Sequence, residues 1–306
     1  MIGGYGQWLA LGMTAGAVVA LRLSPRVGVS RDAMAETTFW TLVAGIIGAR
    51  LLHVAVEWEF YWNLCVAPDL VLPQEAFCAL GCLPGQECQG EFCHNVGDCF
   101  NVVKFWQGGL TFLGGLLAAI PAAFVAARRQ NASGLAAFSM LMLVLPLGHA
   151  FGRVGCWFEG CCHGRRSMLF LALDGQIPTQ LIEAGFNALL FLFLLRRFLV
   201  LVRPGIPAPR ALLEIPALYM MVYGPFRFVI ETVRGDPQRG FLFELPWPWL
   251  ARKVGFPESE PVFLSTSQLL GIALLIVGIY LYASAIQAPY QTRSRPSTRS
   301  TTVPAA

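Results

Sequence analysis

Seven long apolar stretches determine what this chain of 306 residues can fold into. They extend over residues 5–21, 37–56, 108–127, 134–151, 179–202, 211–230 and 262–286. Each approaches the roughly 20 apolar residues that a helix needs to cross the hydrocarbon core of a bilayer. The composition agrees, because 56% of the residues are hydrophobic and only 13% are charged. The sequence therefore predicts an all-α polytopic membrane protein with about seven transmembrane helices.

Arginine is concentrated in alternate loops, which predicts the orientation of the chain. The arginines in question are Arg22, Arg26, Arg31, Arg128, Arg129, Arg196, Arg197, Arg203, Arg210, Arg293, Arg295 and Arg299. By the positive-inside rule, the N-terminus lies outside and the C-terminus lies in the cytoplasm. Residues 1–287 then form one transmembrane domain, in which residues 57–107 are an extracytoplasmic insertion. Residues 288–306 lack any apolar period and are predicted to be a disordered cytoplasmic tail.

The extracytoplasmic insertion carries six cysteines, namely Cys65, Cys78, Cys82, Cys88, Cys93 and Cys99. An even number of thiols in an oxidising compartment indicates a small domain stabilised by disulfides, although the sequence does not choose among the 15 pairings. A haem-attachment motif and a zinc site are weaker interpretations of the same spacing. Cys156, Cys161 and Cys162 lie elsewhere, and the vicinal pair is interpreted either as a redox centre or as residues that hold a turn.

Two arginines at the ends of apolar stretches are the strongest sign of function. A guanidinium group keeps its proton, so Arg153 and Arg227 must meet water, an acidic partner or a bound anion. The predicted topology places both on the outer side, which indicates a site for an anionic lipid head group. The simpler alternative is that each side chain reaches the interface or pairs with a nearby acid. No basic stripe alternates with aromatic residues, so a nucleic-acid partner is not expected.

Polar residues inside the spans recur at helical spacing. They are Arg50, His53 and Glu57 in the second span, Gln180, Glu183 and Asn187 in the fifth, and Tyr223, Arg227, Glu231 and Arg234 in the sixth. Such stripes must face the bundle interior or a wet cavity, so together they predict a polar cavity that opens outward. Gly114 and Gly115, within the small-residue run 108–119, permit close helix packing or backbone access to a ligand.

Four blocks of the chain resemble, in order, the bacterial prolipoprotein diacylglyceryl transferase family. The blocks are GARLLHV (48–54), QGGLTFLGGLLA (107–118), GRVGCWFEGCCHGR (152–165) with PTQLIE (178–183), and YGPFRFVIETVRGD (223–236). The resemblance implies a seven-span enzyme of the bacterial inner membrane whose active site faces outward. It would transfer the diacylglyceryl group of phosphatidylglycerol to the lipobox cysteine thiol of a prelipoprotein signal peptide and release glycerol phosphate. We expect no cofactor and no metal.

The resemblance also implies roles for individual residues. The expected catalytic residues are Arg153, Arg227, Glu231 and His149, and the expected substrate-binding residues are Arg153, Tyr223, Arg227, Arg234, Gly114, Gly115, Gln180 and Glu183. The chain departs from the family pattern at Leu113 and Ile177, where histidines are usual, and at Cys156 and Cys161, where the commoner block has Asn and Glu. The general base is therefore left open among His149, His53 and Glu159.

Three other functions are compatible with parts of the sequence. A thiol-redox membrane protein would use Cys161 and Cys162 together with the loop cysteines. A catalytically silent family member would bind lipid or a secreted partner through the disulfide-rich loop. A transporter is compatible with the polar stripes, but no residue specifies a solute.

Overall fold

The computed structural model describes residues 4–67, 86–89, 92–95, 97–105, 109–165, 173, 175–202, 208–235, 241–249, 252 and 261–287. Its helices are α1 (Gly4–Leu23), α2 (Arg31–Val56), α3 (Trp58–Val66), α4 (Phe112–Arg129), α5 (Gly134–Glu159), α6 (Thr179–Leu201), α7 (Ala208–Thr232) and α8 (Thr266–Gln287). Its strands are β1 (Gln86–Gln89), β2 (Phe92–Asn95), β3 (Phe241–Pro246) and β4 (Pro261–Ser265). The predicted tail 288–306 lies outside the described residues.

The predicted number of membrane spans is confirmed. Within the described residues, 7 helices are long and apolar enough to cross a membrane, and these are all of the above except α3. The main differences lie at the ends: α2 begins at Arg31 rather than at residue 37, and α5 continues to Glu159 rather than ending at residue 151. The longer α5 matters for function, because it places Arg153 and Cys156 on the helix itself. The N-outside orientation stays a prediction.

The chain divides into two compact units, of which one comprises residues 32–134. Within this unit the backbones of α2 and α4 meet at glycines, since a Cβ added to Gly114 would collide with the carbonyl oxygen of Gly48. Close approach of helices at small residues is a common way to pack membrane spans. Gly114 is therefore used for helix packing inside its own unit.

Arg50, in the first predicted polar stripe, is a structural residue of the same unit. Its buried guanidinium donates hydrogen bonds to the carbonyl oxygens of Val102, at 2.8 Å, and Gly109, at 3.0 Å, and also to that of Asn101. Gly109 has a positive φ of 71°, and a Cβ there would lie 2.6 Å from Arg50 Nη1. This arginine thus fixes the chain that enters α4.

Disulfides occur where the sequence predicted them. Cys65 and Cys99 are bonded to each other, which ties the end of α3 to a short 3-10 turn at Cys99–Val103. Cys88 and Cys93 are also disulfide-bonded and stand opposite each other across the β1–β2 hairpin. Cys78 and Cys82 lie outside the described residues. The two hairpins, β1–β2 and β3–β4, are short antiparallel pairs outside the spans that the apolar pattern did not predict.

The other unit comprises residues 1–31 and 135–306 and contains α1 and α5 to α8. Helix α1 packs on α5 through aromatic rings, with Trp8 stacked on Phe158 at a centroid distance of 5.5 Å. Helices α7 and α8 approach closely at two glycines, because a Cβ on Gly224 would lie 2.5 Å from the carbonyl oxygen of Gly271. These contacts hold the end of the bundle where the charged residues of α5, α6 and α7 meet.

Candidate active site

Four helix ends meet at the charged centre of this unit. Arg153 lies near the C-terminal end of α5, Glu183 near the N-terminal end of α6, and Arg227 near the C-terminal end of α7. Helix α8 begins at the same place and contributes Ser267 in its first turn. Charged side chains at such helix ends avoid the cost of a position in the middle of the bilayer.

Glu183 is the centre of the ion-pair network. It is 1% exposed, and its Oε2 lies 2.8 Å from Arg153 Nε. Its Oε1 lies 3.7 Å from Arg227 Nη1, and its Oε2 lies 3.9 Å from His149 Nε2. A buried charge is tolerated only beside compensating charges, so this carboxylate fixes the two guanidinium groups around itself.

A second carboxylate, Glu231, connects two arginines of α7. Its Oε2 lies 2.7 Å from Arg227 Nη2 and 3.9 Å from Arg234 Nη1. Arg227 Nη2 also donates a hydrogen bond of 2.9 Å to Ser267 Oγ on α8. The spacing noted in the sequence thus places Glu231 in contact with both Arg227 and Arg234, because positions three and four apart share one helix face.

The network carries a surplus of positive charge. Three guanidinium groups, those of Arg153, Arg227 and Arg234, surround the two carboxylates of Glu183 and Glu231. With both carboxylates ionised, these five described groups together carry one net positive charge, which equals in magnitude the charge of one phosphodiester. Among the described residues, no acceptor makes a hydrogen bond to the buried Nη1 atom of Arg227. It lies 3.7 Å from Glu183 Oε1, which is an ion-pair distance rather than a hydrogen bond.

His149 and Tyr223 form the apolar side of this centre. Their rings lie 5.6 Å apart, and Tyr223 stacks on Tyr219 at 5.3 Å. Tyr223 is 8% exposed, whereas the side chain of His149 is 26% exposed. His149 also lies one helical turn before Arg153, so the structure places its imidazole beside the ion-pair network.

The chain after α5 makes a tight turn that α6 holds in place. Gln180 Nε2 donates to the carbonyl oxygen of Cys161 at 2.6 Å, and Thr179 Oγ1 donates to that of Cys162 at 2.9 Å. Both donors are buried, and Cys162 adopts a positive φ of 61°. Gln180, predicted as a substrate-binding residue, therefore has a structural partner in this turn.

The strand-like segment after this turn connects α5, α6 and α7. The amide nitrogen of Gly164 donates to the carbonyl oxygen of Ile177 at 2.9 Å. The amide nitrogen of Arg165 donates to the carbonyl oxygen of Val233 at 2.9 Å. Arg165 Nε donates to the carbonyl oxygen of Arg234 at 3.0 Å, which holds the end of α7 near the network.

Several predicted residues belong to the other unit or have no contact with the ion-pair network among the described residues. Gly114, Gly115, Leu113 and His53 belong to the unit of residues 32–134, in which Gly115 faces Ala49 and Gly45 across the contact of α2 and α4. Glu159 is exposed at the last position of α5. The structure thus groups Arg153, Arg227, Glu183, Glu231, Arg234, Tyr223 and His149, and the glycines are engaged in packing within their own unit.

Sequence reasoning missed Ser267. Its hydrogen bond with Arg227 joins two helices about 40 residues apart in the chain, a separation that no local pattern encodes. A weak signal was available, because Ser265 and Gln268 form reciprocal hydrogen bonds of 3.1 and 3.2 Å at the start of α8. Such a capping arrangement fixes the first turn of the helix and so the position of Ser267.

Comparison with known proteins gives a consistent result over almost the whole chain. Residues 1–284 match the family model described as prolipoprotein diacylglyceryl transferase. The chain is 26% identical to a phosphatidylglycerol–prolipoprotein diacylglyceryl transferase of Finegoldia magna over 281 residues, which cover 90% of this chain and 88% of the relative. It is 22% identical to the Clostridium tetani protein of that name, covering 91% of each, and 27% identical to the second such protein of Clostridium perfringens, covering 91% and 89%.

Proposed function

Because the chain belongs to the prolipoprotein diacylglyceryl transferase family, we propose that it transfers the diacylglyceryl group of phosphatidylglycerol to the lipobox cysteine thiol of prelipoproteins. The reaction takes place at the outer face of the bacterial inner membrane, where the lipid and the signal peptide both reside. The relatives carry this activity in their names over nearly the full length of the chain.

The observation that carries the proposal is the convergence of Arg153 and Arg227 on the single carboxylate of Glu183. Guanidinium groups match phosphate oxygens with two parallel hydrogen bonds, so this pair can hold one phosphodiester. The side chains of Arg153 and Arg227 remain 14% and 11% exposed, which leaves their outer edges accessible to a ligand. Arg234 adds positive charge, and Tyr223 lines the apolar side.

The reaction is a displacement at carbon. A thiolate sulfur attacks C3 of the glyceryl group, the bond from C3 to the phosphate oxygen breaks, and the phosphate leaves with the bonding electrons. Negative charge therefore grows on the phosphate in the transition state, where fixed guanidinium groups are most effective. Glu183 and Glu231 orient the arginines, and His149 is the proposed base that accepts the thiol proton.

The proposal is tested with the full chain in detergent micelles that contain phosphatidylglycerol, by following lipid transfer to a synthetic lipobox peptide. We expect Arg153→Ala and Arg227→Ala to lower kcat by about 10²–10³-fold, as removal of one oxyanion donor does. Lysine at either position should recover only part of this loss, because it keeps the charge but not the paired donors.

A matched control is available at the far end of α6. Arg197 also pairs with a buried carboxylate, since its Nη2 lies 2.5 Å from Glu214 Oε1. Arg197→Ala should leave transfer near the wild-type rate. Near-normal turnover by Arg153→Ala would contradict the phosphate role, and a fully active His149→Ala would remove His149 as the base.

A further inference from the structure

Three cysteines that form no disulfide lie together beside the arginine pair. Cys156 is on the last turns of α5, and Cys161 and Cys162 form the turn that follows. Their sulfur atoms all lie within 4.8 Å of one another. The loop cysteines Cys65 and Cys99, in contrast, are joined in a disulfide. Three is an odd number, so a disulfide within the cluster would always leave one of the three thiols outside the bond.

The turn is built to hold these sulfur atoms in place. Cys162 has a φ of 61°, a left-handed conformation that is unfavourable for a non-glycine residue. The cost is offset by hydrogen bonds from the buried side chains of Thr179 and Gln180 to the turn carbonyls. The amide of Cys161 also donates to the carbonyl oxygen of Cys156 at 3.1 Å. A strained turn fixed from two sides is typical of a functional position.

The separation of the thiols suits a soft divalent metal ion. Zinc binds thiolate sulfur at about 2.3 Å, which places the ligands of a tetrahedral site about 3.8 Å apart. Small side-chain rotations bring sulfur atoms within 4.8 Å to that separation. Among the described residues, no His, Asp or Glu joins the three thiols in this group. Three protein ligands and an open fourth position are the pattern of catalytic rather than structural zinc sites.

We propose that Cys156, Cys161 and Cys162 bind a Zn²⁺ ion whose fourth ligand is the thiol of the substrate peptide. The inference deepens the proposed function, and its catalytic part rests on that function. A thiol bound to zinc loses its proton, for which His149 is the proposed acceptor, and so becomes a thiolate at neutral pH. Its sulfur then attacks C3 of the glyceryl group as the phosphate departs. The thioether product carries no charge, is a weak zinc ligand and leaves.

The surroundings support a metal rather than a redox pair. Cys161 and Cys162 form no disulfide with each other, as an oxidised redox pair would. Zinc with three thiolates carries one negative charge, and Arg153 interacts electrostatically with Cys156 and Cys162.

A cleft lies beside the turn, where Gly160 precedes Cys161. It has a volume of about 250 Å³ and is lined by Trp157, Gly160, His163 and Gln180, among others. This volume admits a short peptide segment or side chain but is below the usual size of a drug-sized ligand pocket. The peptide would thus lie beside the turn while the lipid phosphate lies on the arginines.

The test measures metal before activity. The full chain is purified anaerobically without chelator, and its zinc content is determined by mass spectrometry together with the number of free thiols. We expect about one zinc per chain in the wild type, and its loss in Cys161→Ser and Cys162→Ser. The double variant Cys65→Ser/Cys99→Ser, which removes two cysteines outside the cluster, should retain the metal. Wild-type protein without zinc, or a disulfide between Cys161 and Cys162, would overturn the proposal.

Cobalt substitution tests the open position separately from the reaction. Co²⁺ in a site of three thiolates gives ligand-field absorption bands, and binding of a lipobox peptide should shift them, whereas a peptide with serine in place of the cysteine should not. Unchanged bands with the cysteine peptide would refute the substrate-ligand role. If zinc is bound and the bands shift but no lipid is transferred, the proposed function fails while the metal site stands. Full transfer by metal-free protein would reject the catalytic role of zinc alone.

Discussion

Glu183→Gln separates the structural and catalytic roles of the network. Glutamine keeps the shape of the side chain and removes its charge, which raises the net charge of the network from one positive unit to two. For opposite charges 2.8 Å apart, as at Glu183 Oε2 and Arg153 Nε, the attraction is about 6 kcal/mol at an effective dielectric constant of about 20. Desolvation offsets part of this, so loss of one buried partner should destabilise the protein by about 3–5 kcal/mol.

Activity and lipid affinity should respond differently to this substitution. The guanidinium groups of Arg153 and Arg227 lose their common partner, and a misplacement of about 1 Å can lower a rate about 10²-fold. The affinity for anionic lipid should stay the same or increase, because a competing carboxylate has gone. We therefore expect a kcat lowered about 10²-fold with an unchanged or lower KM for phosphatidylglycerol.

The control is Glu214→Gln, a second buried glutamate held between two arginines. Glu214 is 1% exposed, and its oxygens lie 2.5 Å from Arg197 Nη2 and 3.1 Å from Arg210 Nε. Arg197 is 14 positions after Glu183 on α6, or about 21 Å along the helix axis. Denaturation in detergent should show similar destabilisation for the two variants, while transfer per folded molecule falls only in Glu183→Gln. Equal transfer by both variants, or weaker lipid binding in Glu183→Gln, would refute this reasoning.

Three further outcomes are expected in the unit of residues 32–134. Gly114→Ala should destabilise it by about 1–3 kcal/mol in thermal unfolding, because its Cβ meets the Gly48 carbonyl. Cys65→Ser/Cys99→Ser should cost up to about 4 kcal/mol for a separation of 34 residues, with lipid transfer largely kept. The hydrogen bond from Lys104 lowers the pKa of Asp98. The ionised Asp98 therefore stabilises the folded protein above its unfolded pKa of about 3.9, and this stabilisation is lost as the pH falls through the lower folded pKa. Asp98→Asn should therefore be less stable than the wild type by under about 1 kcal/mol at pH 7, and the difference should vanish in acid denaturation below that range.

Length and hydropathy were sufficient to predict the seven spans, because a bilayer imposes a minimum length on every helix that crosses it. The same information could not locate the end of α5, where Gly152, Arg153 and Gly155 interrupt the apolar run. The helix continues there because Gly155 packs against Tyr5 and Trp8 of α1, with contacts of 3.1–3.2 Å for an added Cβ. That is a tertiary contact, and the sequence pattern does not contain it.

The contacts of the candidate site were predictable only where one helix supplied both partners. The pair of Arg227 and Glu231 follows from a spacing of four residues, and its 2.7 Å contact agrees. The central position of Glu183 did not follow, because it depends on how α5, α6 and α7 meet in space. For Arg50, the carbonyl oxygens of Val102 and Gly109, rather than an anionic ligand, are the partners that the structure shows. A stripe of polar residues indicates that partners exist, but not which ones.

The two carboxylates in the proposed phosphate site have a physical purpose that the arginines alone would not fulfil. The substrate phosphodiester carries one negative charge, whereas the released glycerol phosphate is a monoester that carries up to two. Three arginines without Glu183 and Glu231 would hold this product most tightly, and its release would limit turnover. With the glutamates present, the surplus is one positive charge, which suffices for the substrate and stabilises the charge that develops as the C3–O bond breaks. The field then favours the transition state without retaining the product, so replacing both glutamates by glutamine should make glycerol phosphate a stronger competitive inhibitor.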